Sequence, residues 1–83
     1  MLKIYKNITN LEIAELLQAV AASYELESED KNRFKIIAYN RAADAIEHLS
    51  SEAKDIWDEG KLKDIAGIGE SIASHLDEIF RTG

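Results

Sequence analysis

Ile65-Ala66-Gly67-Ile68-Gly69 alternates two glycines with isoleucines, and directly behind it Ile72, Ala73, Leu76, Ile79 and Phe80 recur at helical spacing. Glycine accepts positive φ and carries no side chain, so another group can come close to the backbone there. The N–H groups of the next few residues belong to the first turn of a helix and lack intrahelical acceptors. Such a corner suits an anion, phosphate above all. The same five residues also suit a tight interhelical turn that binds nothing, a common role for short glycine motifs. The rest of the chain has to decide between the two.

Working outward, Gly60 stands where a left-handed residue ends a helix. Lys61-Leu62-Lys63-Asp64-Ile65 then leaves room for one or two helical turns before the corner. Residues 61–82 read as a short helix, a turn and a last helix from about Glu70 to Arg81. Ser50-Ser51 reads as a stop and a new cap, opening a short helix from Glu52 to Asp58 in which Trp57 packs onto the bundle. At the other end, Thr9-Asn10-Leu11-Glu12 has the pattern of a capping box. Ile13, Leu16, Leu17, Val20, Ala21 and Tyr24 follow it as the apolar stripe of a first helix ending near Leu26.

A polar connection, Glu27 to Asn32, leads to a second helix starting at Asn32 or Arg33, with Asn32 as its cap. Its expected buried stripe is Phe34, Ile37, Ala38, Ala42, Ala45, Ile46 and Leu49. Proline is absent, and β-branched residues nowhere alternate with polar ones over a useful length. The expectation is an all-α fold, a compact bundle of four main helices plus a short helix leading into the glycine corner. Residues 1–83 form a single helical domain, with 1–8 as an N-terminal extension.

The totals fit one small globular domain: 83 residues, 46% apolar and 31% charged. Without cysteine there is no disulfide frame or thiolate metal site, and His48 and His75 lack ligand spacing. No apolar run approaches a membrane span, and the charged start Met1 to Lys6 does not resemble a signal peptide. The cytoplasm is the expected compartment. Net charge is −6, which as a whole repels nucleic acid. The acid is concentrated, however: residues 41–59 hold six acidic residues against Arg41 and Lys54. Lys31, Arg33 and Lys35 cluster at the start of the second helix, and Lys61 and Lys63 just before the corner. A basic patch on an acidic body forms if the two clusters meet.

Leu62 to Ala73 resembles a helix-hairpin-helix motif, apolar-x-Gly-apolar-Gly with alanine four residues on. Together with Phe34-Lys35-Ile36-Ile37-Ala38-Tyr39-Asn40-Arg41-Ala42-Ala43, Gly60-Lys61-Leu62 and the ending Leu76 to Gly83, the chain is similar to the N-terminal domain of family X DNA polymerases, the polymerase-beta-like group. The similarity runs from about Thr9 to Gly83. It implies a helical domain that grips DNA beside a gap or nick without reading sequence, in repair, with a polymerase domain in the same or another chain. The hairpin, with Lys63, Gly67, Ile68, Gly69 and Ser71, would face backbone phosphates. A monovalent cation, Na or K, would be held by the carbonyls of Lys63, Ile65 and Ile68. Lys35 and Tyr39 match residues of a pocket for the downstream 5′-phosphate, and Phe34 matches a ring that stacks on a base.

The departures from that pattern bear on chemistry. The lysine that forms the Schiff base of the polymerase-beta-like deoxyribose-phosphate lyase is matched by His75, which has no primary amine. Ser71 stands for another lysine near the phosphate pocket, and Ala66 for a frequent proline. Glu70 opens the last helix, where it suits the dipole but repels phosphate. The expectation is DNA binding without lyase activity. Two alternatives stay open: a lyase using Lys35 or Lys63, and a protein-interaction module built on the acidic 41–59 face. Lys31 and Arg33 read as solvated charges, Lys35 equally as solvated or phosphate-facing. Tyr39 reads as a half-buried aromatic or a pocket residue, and His75 as a partly exposed residue without a role.

Overall fold

The structure, a computed structural model, describes residues 8–82. Helices α1 (Asn10–Ser28), α2 (Arg33–Glu47), α3 (Ala53–Asp58) and α4 (Glu70–Thr82) follow one another, with a 3₁₀ turn, Leu62–Asp64, between α3 and α4. Among the described residues there is no strand. The fold is all-α, and no helix among the described residues is long and apolar enough to cross a membrane.

Helix α1 starts as its sequence dictates. The Thr9 hydroxyl accepts from the Glu12 amide at 3.2 Å, and the Glu12 carboxylate accepts from the Thr9 amide at 2.9 Å. Its buried residues are Ile13, Ala14, Leu17 and Ala21, so the stripe is rotated toward Ala14 and leaves Leu16 exposed. The helix runs two residues past Leu26, which is itself exposed. Asn32 precedes α2 but does not cap it. Its buried side chain turns back, donating from Nδ2 to the Tyr24 carbonyl and the Glu27 carboxylate, both at 3.0 Å, and so closes the end of α1 instead.

In α2 the expected stripe is corrected in register. Ile36, Ala42, Ala43 and Ile46 are buried, whereas Phe34 and Ile37 are exposed. The segment Phe34 to Tyr39 is apolar on two sides of the helix, and packing selects the side bearing Ile36 and Tyr39. Small residues, Ala14 and Ala21 on one helix and Ala42 and Ala43 on the other, are buried where α1 and α2 pack along their length. Ile8, Leu62, Ile68, Ile72, Leu76 and Phe80 complete one apolar core. Ile8, the last residue of the expected N-terminal extension, thus belongs to the core; residues 1–7 of that extension lie outside the described residues.

The cap of α3 comes from far away. Ser50 and Ser51 do not supply it, and Glu52 precedes the helix without a side-chain bond. Asn10 does the work: its Oδ1 accepts from the Ala53 amide at 2.7 Å and its Nδ2 donates to the Ser51 carbonyl at 2.8 Å. At the other end, Gly60 has φ +72°. The Gly60 amide bonds to the Trp57 carbonyl and the Lys61 amide to the Ile56 carbonyl, the two bonds of a Schellman stop. Trp57 stacks on Phe80 with centroids 5.2 Å apart and donates from Nε1 to Asp77 at 2.7 Å. That bond, aided by Arg81, holds the Asp77 carboxyl below the ordinary carboxylate range.

Candidate nucleic-acid interface

The glycine corner is a tight turn closed by the Ile68 amide on the Ile65 carbonyl at 3.1 Å. Gly67, third in that turn, has φ +95°, the left-handed region a type II turn requires there. Its missing side chain serves a second end. A Cβ at Gly67 would lie 3.2 Å from the Ala45 Cβ and 3.5 Å from the Arg41 Cγ. The close neighbour that position 67 admits is therefore helix α2 of the same chain.

Gly69 is different. Its φ is negative, and a Cβ built on it meets nothing within 4 Å. It is the last residue before α4, and its carbonyl accepts from the Ala73 amide at 2.9 Å. With no side chain at Gly69 to cap them, the amides of Glu70, Ser71 and Ile72 have no acceptor among the described residues. Beside them runs an open groove of about 440 Å³ between the corner and α2, lined by Ala38 and Arg41 on one side and Gly67, Gly69, Glu70 and Ser71 on the other.

Lys35, Tyr39 and His75 come together on a neighbouring surface. Lys35 Nζ stands 5.0 Å from the Tyr24 ring centre, and the Tyr24 and Tyr39 rings are 5.9 Å apart. Tyr39 Oη and His75 Nδ1 are 3.1 Å apart, a hydrogen bond whose direction follows the imidazole tautomer. Burial, and then the neighbouring Tyr24, hold the Tyr39 hydroxyl above its ordinary ionisation range. Ser71 precedes His75 by one turn of α4, so both occupy one side of that helix. His75 thus has a partner that its lone position between Ile72 and Leu76 did not announce.

The remaining residues divide. Phe34 is 86% exposed, which removes it from the core and leaves its ring free to stack. Lys63 Nζ lies 3.9 Å from the Glu70 carboxylate, both groups exposed. Arg33 pairs with Asp30 at 3.7 Å as a solvated charge. Of the two lysine and arginine clusters, Arg33 and Lys63 face acids, and Lys35 rests on an aromatic ring. The carbonyls of Lys63 and Ile68 accept no hydrogen bond among the described residues, and that of Ile65 accepts one. These three neutral oxygens are the hard donors that a monovalent cation takes.

One residue of the interface escapes a reading of the sequence. In the sequence Arg41 stands as one of two cations among the acids of residues 41–59, yet α2 delivers it to the edge of the glycine corner. Its spacing on α2 from Ala38, one turn earlier, is the single local sign that it shares a face with the groove.

A family model described as a helix-hairpin-helix domain matches residues 8–83. No curated protein and no solved structure gives a significant match. Matched over the whole of its described core, the chain belongs to the helix-hairpin-helix domain family.

Proposed function

We infer that this domain binds DNA through its backbone, independently of sequence, as the N-terminal domain of a family X polymerase does at a gap, and that it lacks lyase activity. The family points to nucleic-acid binding in general. The observation that carries the reading is the open corner at Gly69, where three amides without acceptors among the described residues face a groove that no described residue fills. A phosphate seated there takes its hydrogen bonds from the Glu70, Ser71 and Ile72 amides and gains from the positive end of α4. Lys35 and Tyr39 receive the downstream 5′-phosphate, and Phe34 stacks on a base beside it. The Lys63, Ile65 and Ile68 carbonyls would hold a Na or K ion, which would supply positive charge beside the DNA backbone.

The absence of lyase chemistry is supported by His75. An imidazole engaged with Tyr39 cannot form the imine that the reaction requires. Borohydride trapping on an abasic 5′-deoxyribose-phosphate end is expected to give no adduct; an adduct at Lys35 or Lys63 overturns this part. For binding, titrations of gapped DNA with and without a 5′-phosphate are run across KCl and NaCl concentrations. With about two to four phosphate contacts, log K should fall with log salt at a slope of roughly −2 to −4. Failure of the folded protein to bind at low salt refutes the reading.

A further inference from the structure

We propose that Arg41 is the cation of the hairpin's phosphate site, reaching it from α2 across the groove; this rests on the DNA-binding reading above. Among the described residues lining that groove Arg41 is the one cation, since Ser71 is neutral and Glu70 acidic. Its stem runs past the corner, where a Cβ built on Gly67 would lie 3.5 Å from the Arg41 Cγ. Arg41 is exposed, and its guanidinium has no ion-pair partner among the described residues.

That lack of a partner is informative because acids are close in sequence and space. Asp44, one turn along α2, lies 3.4 Å from His48 instead. Glu70, across the groove, lies 3.9 Å from Lys63. Arg41 has no ion pair among the described residues although Asp44 and Glu47 follow it on α2, and it stands beside a corner where no described residue comes within 4 Å of a Cβ built on Gly69. A planar guanidinium there can take two oxygens of one phosphate at once, a geometry no lysine offers. The same face of α2 carries the exposed Ile37 and Phe34, four and seven residues before Arg41. A strand anchored at Arg41 therefore has an apolar track along α2 toward the Phe34 ring.

The test uses a fluorescein-labelled gapped duplex, with and without its 5′-phosphate, titrated at several KCl concentrations. Arg41→Gln, Arg41→Lys and Arg33→Gln are compared with the unaltered domain, each checked for an unchanged melting midpoint. Arg41→Gln should weaken binding about fivefold at low salt and make the salt slope shallower by about one, while leaving the preference for a 5′-phosphate intact. Arg41→Lys should keep the slope and recover part of the affinity. Arg33→Gln, which removes the same charge from a side chain already paired with Asp30, should bind as the unaltered domain does. Arg41→Gln behaving like Arg33→Gln overturns the assignment, as does loss of the 5′-phosphate preference in Arg41→Gln. Absence of binding by the unaltered domain instead overturns the DNA-binding reading and this inference with it.

Discussion

Replacing Gly69 by aspartate separates a binding corner from a mere turn, because fold and ligand respond in opposite directions. Gly69 has an ordinary φ, and its missing Cβ faces open space, so an aspartate enters without strain. In the residue before α4 its carboxylate can accept from the Ser71 or Ile72 amide, an improvement over glycine of a few tenths of a kcal/mol. Its charge at the positive end of α4 adds about 0.3–1 kcal/mol, reduced by the neighbouring Glu70. The net expectation is a gain of about 0.5 kcal/mol, a rise in melting midpoint of about 2–4 °C for a domain of this size. For a phosphate the same carboxylate occupies the amides and places a like charge about 4 Å away, costing about 1 kcal/mol in water and about 4 in a partly screened site. DNA affinity should fall at least about fivefold. The assay pairs a thermal melt followed by circular dichroism with fluorescence anisotropy on gapped DNA. A Gly69→Asp domain that is stable and binds undiminished refutes the phosphate corner. One that melts well below the parent refutes the open space over Gly69.

Gly67→Ala should do the reverse of Gly69→Asp and lower stability by about 1–3 kcal/mol, since it forces a side chain into φ +95° and against Ala45; a urea midpoint equal to the parent's contradicts this. Glu70→Gln removes the acid at the corner and releases Lys63, so anisotropy should show DNA binding strengthened about threefold while α4 loses a few tenths of a kcal/mol. Asp77 has its carboxyl held below the ordinary range, so its contribution to stability is complete above the unfolded value and is lost as pH falls through the lower folded one. Fluorescence of Trp57, the single tryptophan, should report that acid transition, and Asp77→Asn should flatten it; an unchanged profile in the variant assigns the transition to another carboxylate.

What could be read from the sequence was the chemistry of near neighbours. The capping box at Thr9, the stop at Gly60 and the turn at Gly67 each depend on residues within one helical turn, and each stands where its residue types placed it. Reading failed where two faces of a helix competed or where a partner lay far along the chain. Phe34-Lys35-Ile36-Ile37-Ala38-Tyr39 can bury either side, and only the positions of α1 and α4 decide for Ile36 over Ile37. The cap of α3 looked like Ser51 because serine is a common cap, but the competing side chain, Asn10, begins another helix. At the candidate site, Lys35 and Tyr39 were visible through resemblance, while the Tyr39–His75 bond and the approach of Arg41 to Gly67 are products of tertiary packing. The glycines were legible as a pair but not in their separate roles: one admits a helix of its own chain, the other leaves a surface clear.

Asn10 also bears on how this domain opens. α1 and α2 pack along their length, whereas α3 and the hairpin meet the rest over shorter stretches. A structure of that kind has an inner unit that opens last and an outer one that opens more readily. The Asn10 amide group spans the two, tying the first residue of α1 to the entry of α3 at Ser51 and Ala53. Asn10→Ala should therefore speed hydrogen exchange at Ala53 and through the corner before it affects Ala42 or Ala43. The surface offered to DNA would then be governed, in part, by a single amide on the far side of the sequence, acting on how often the corner is formed.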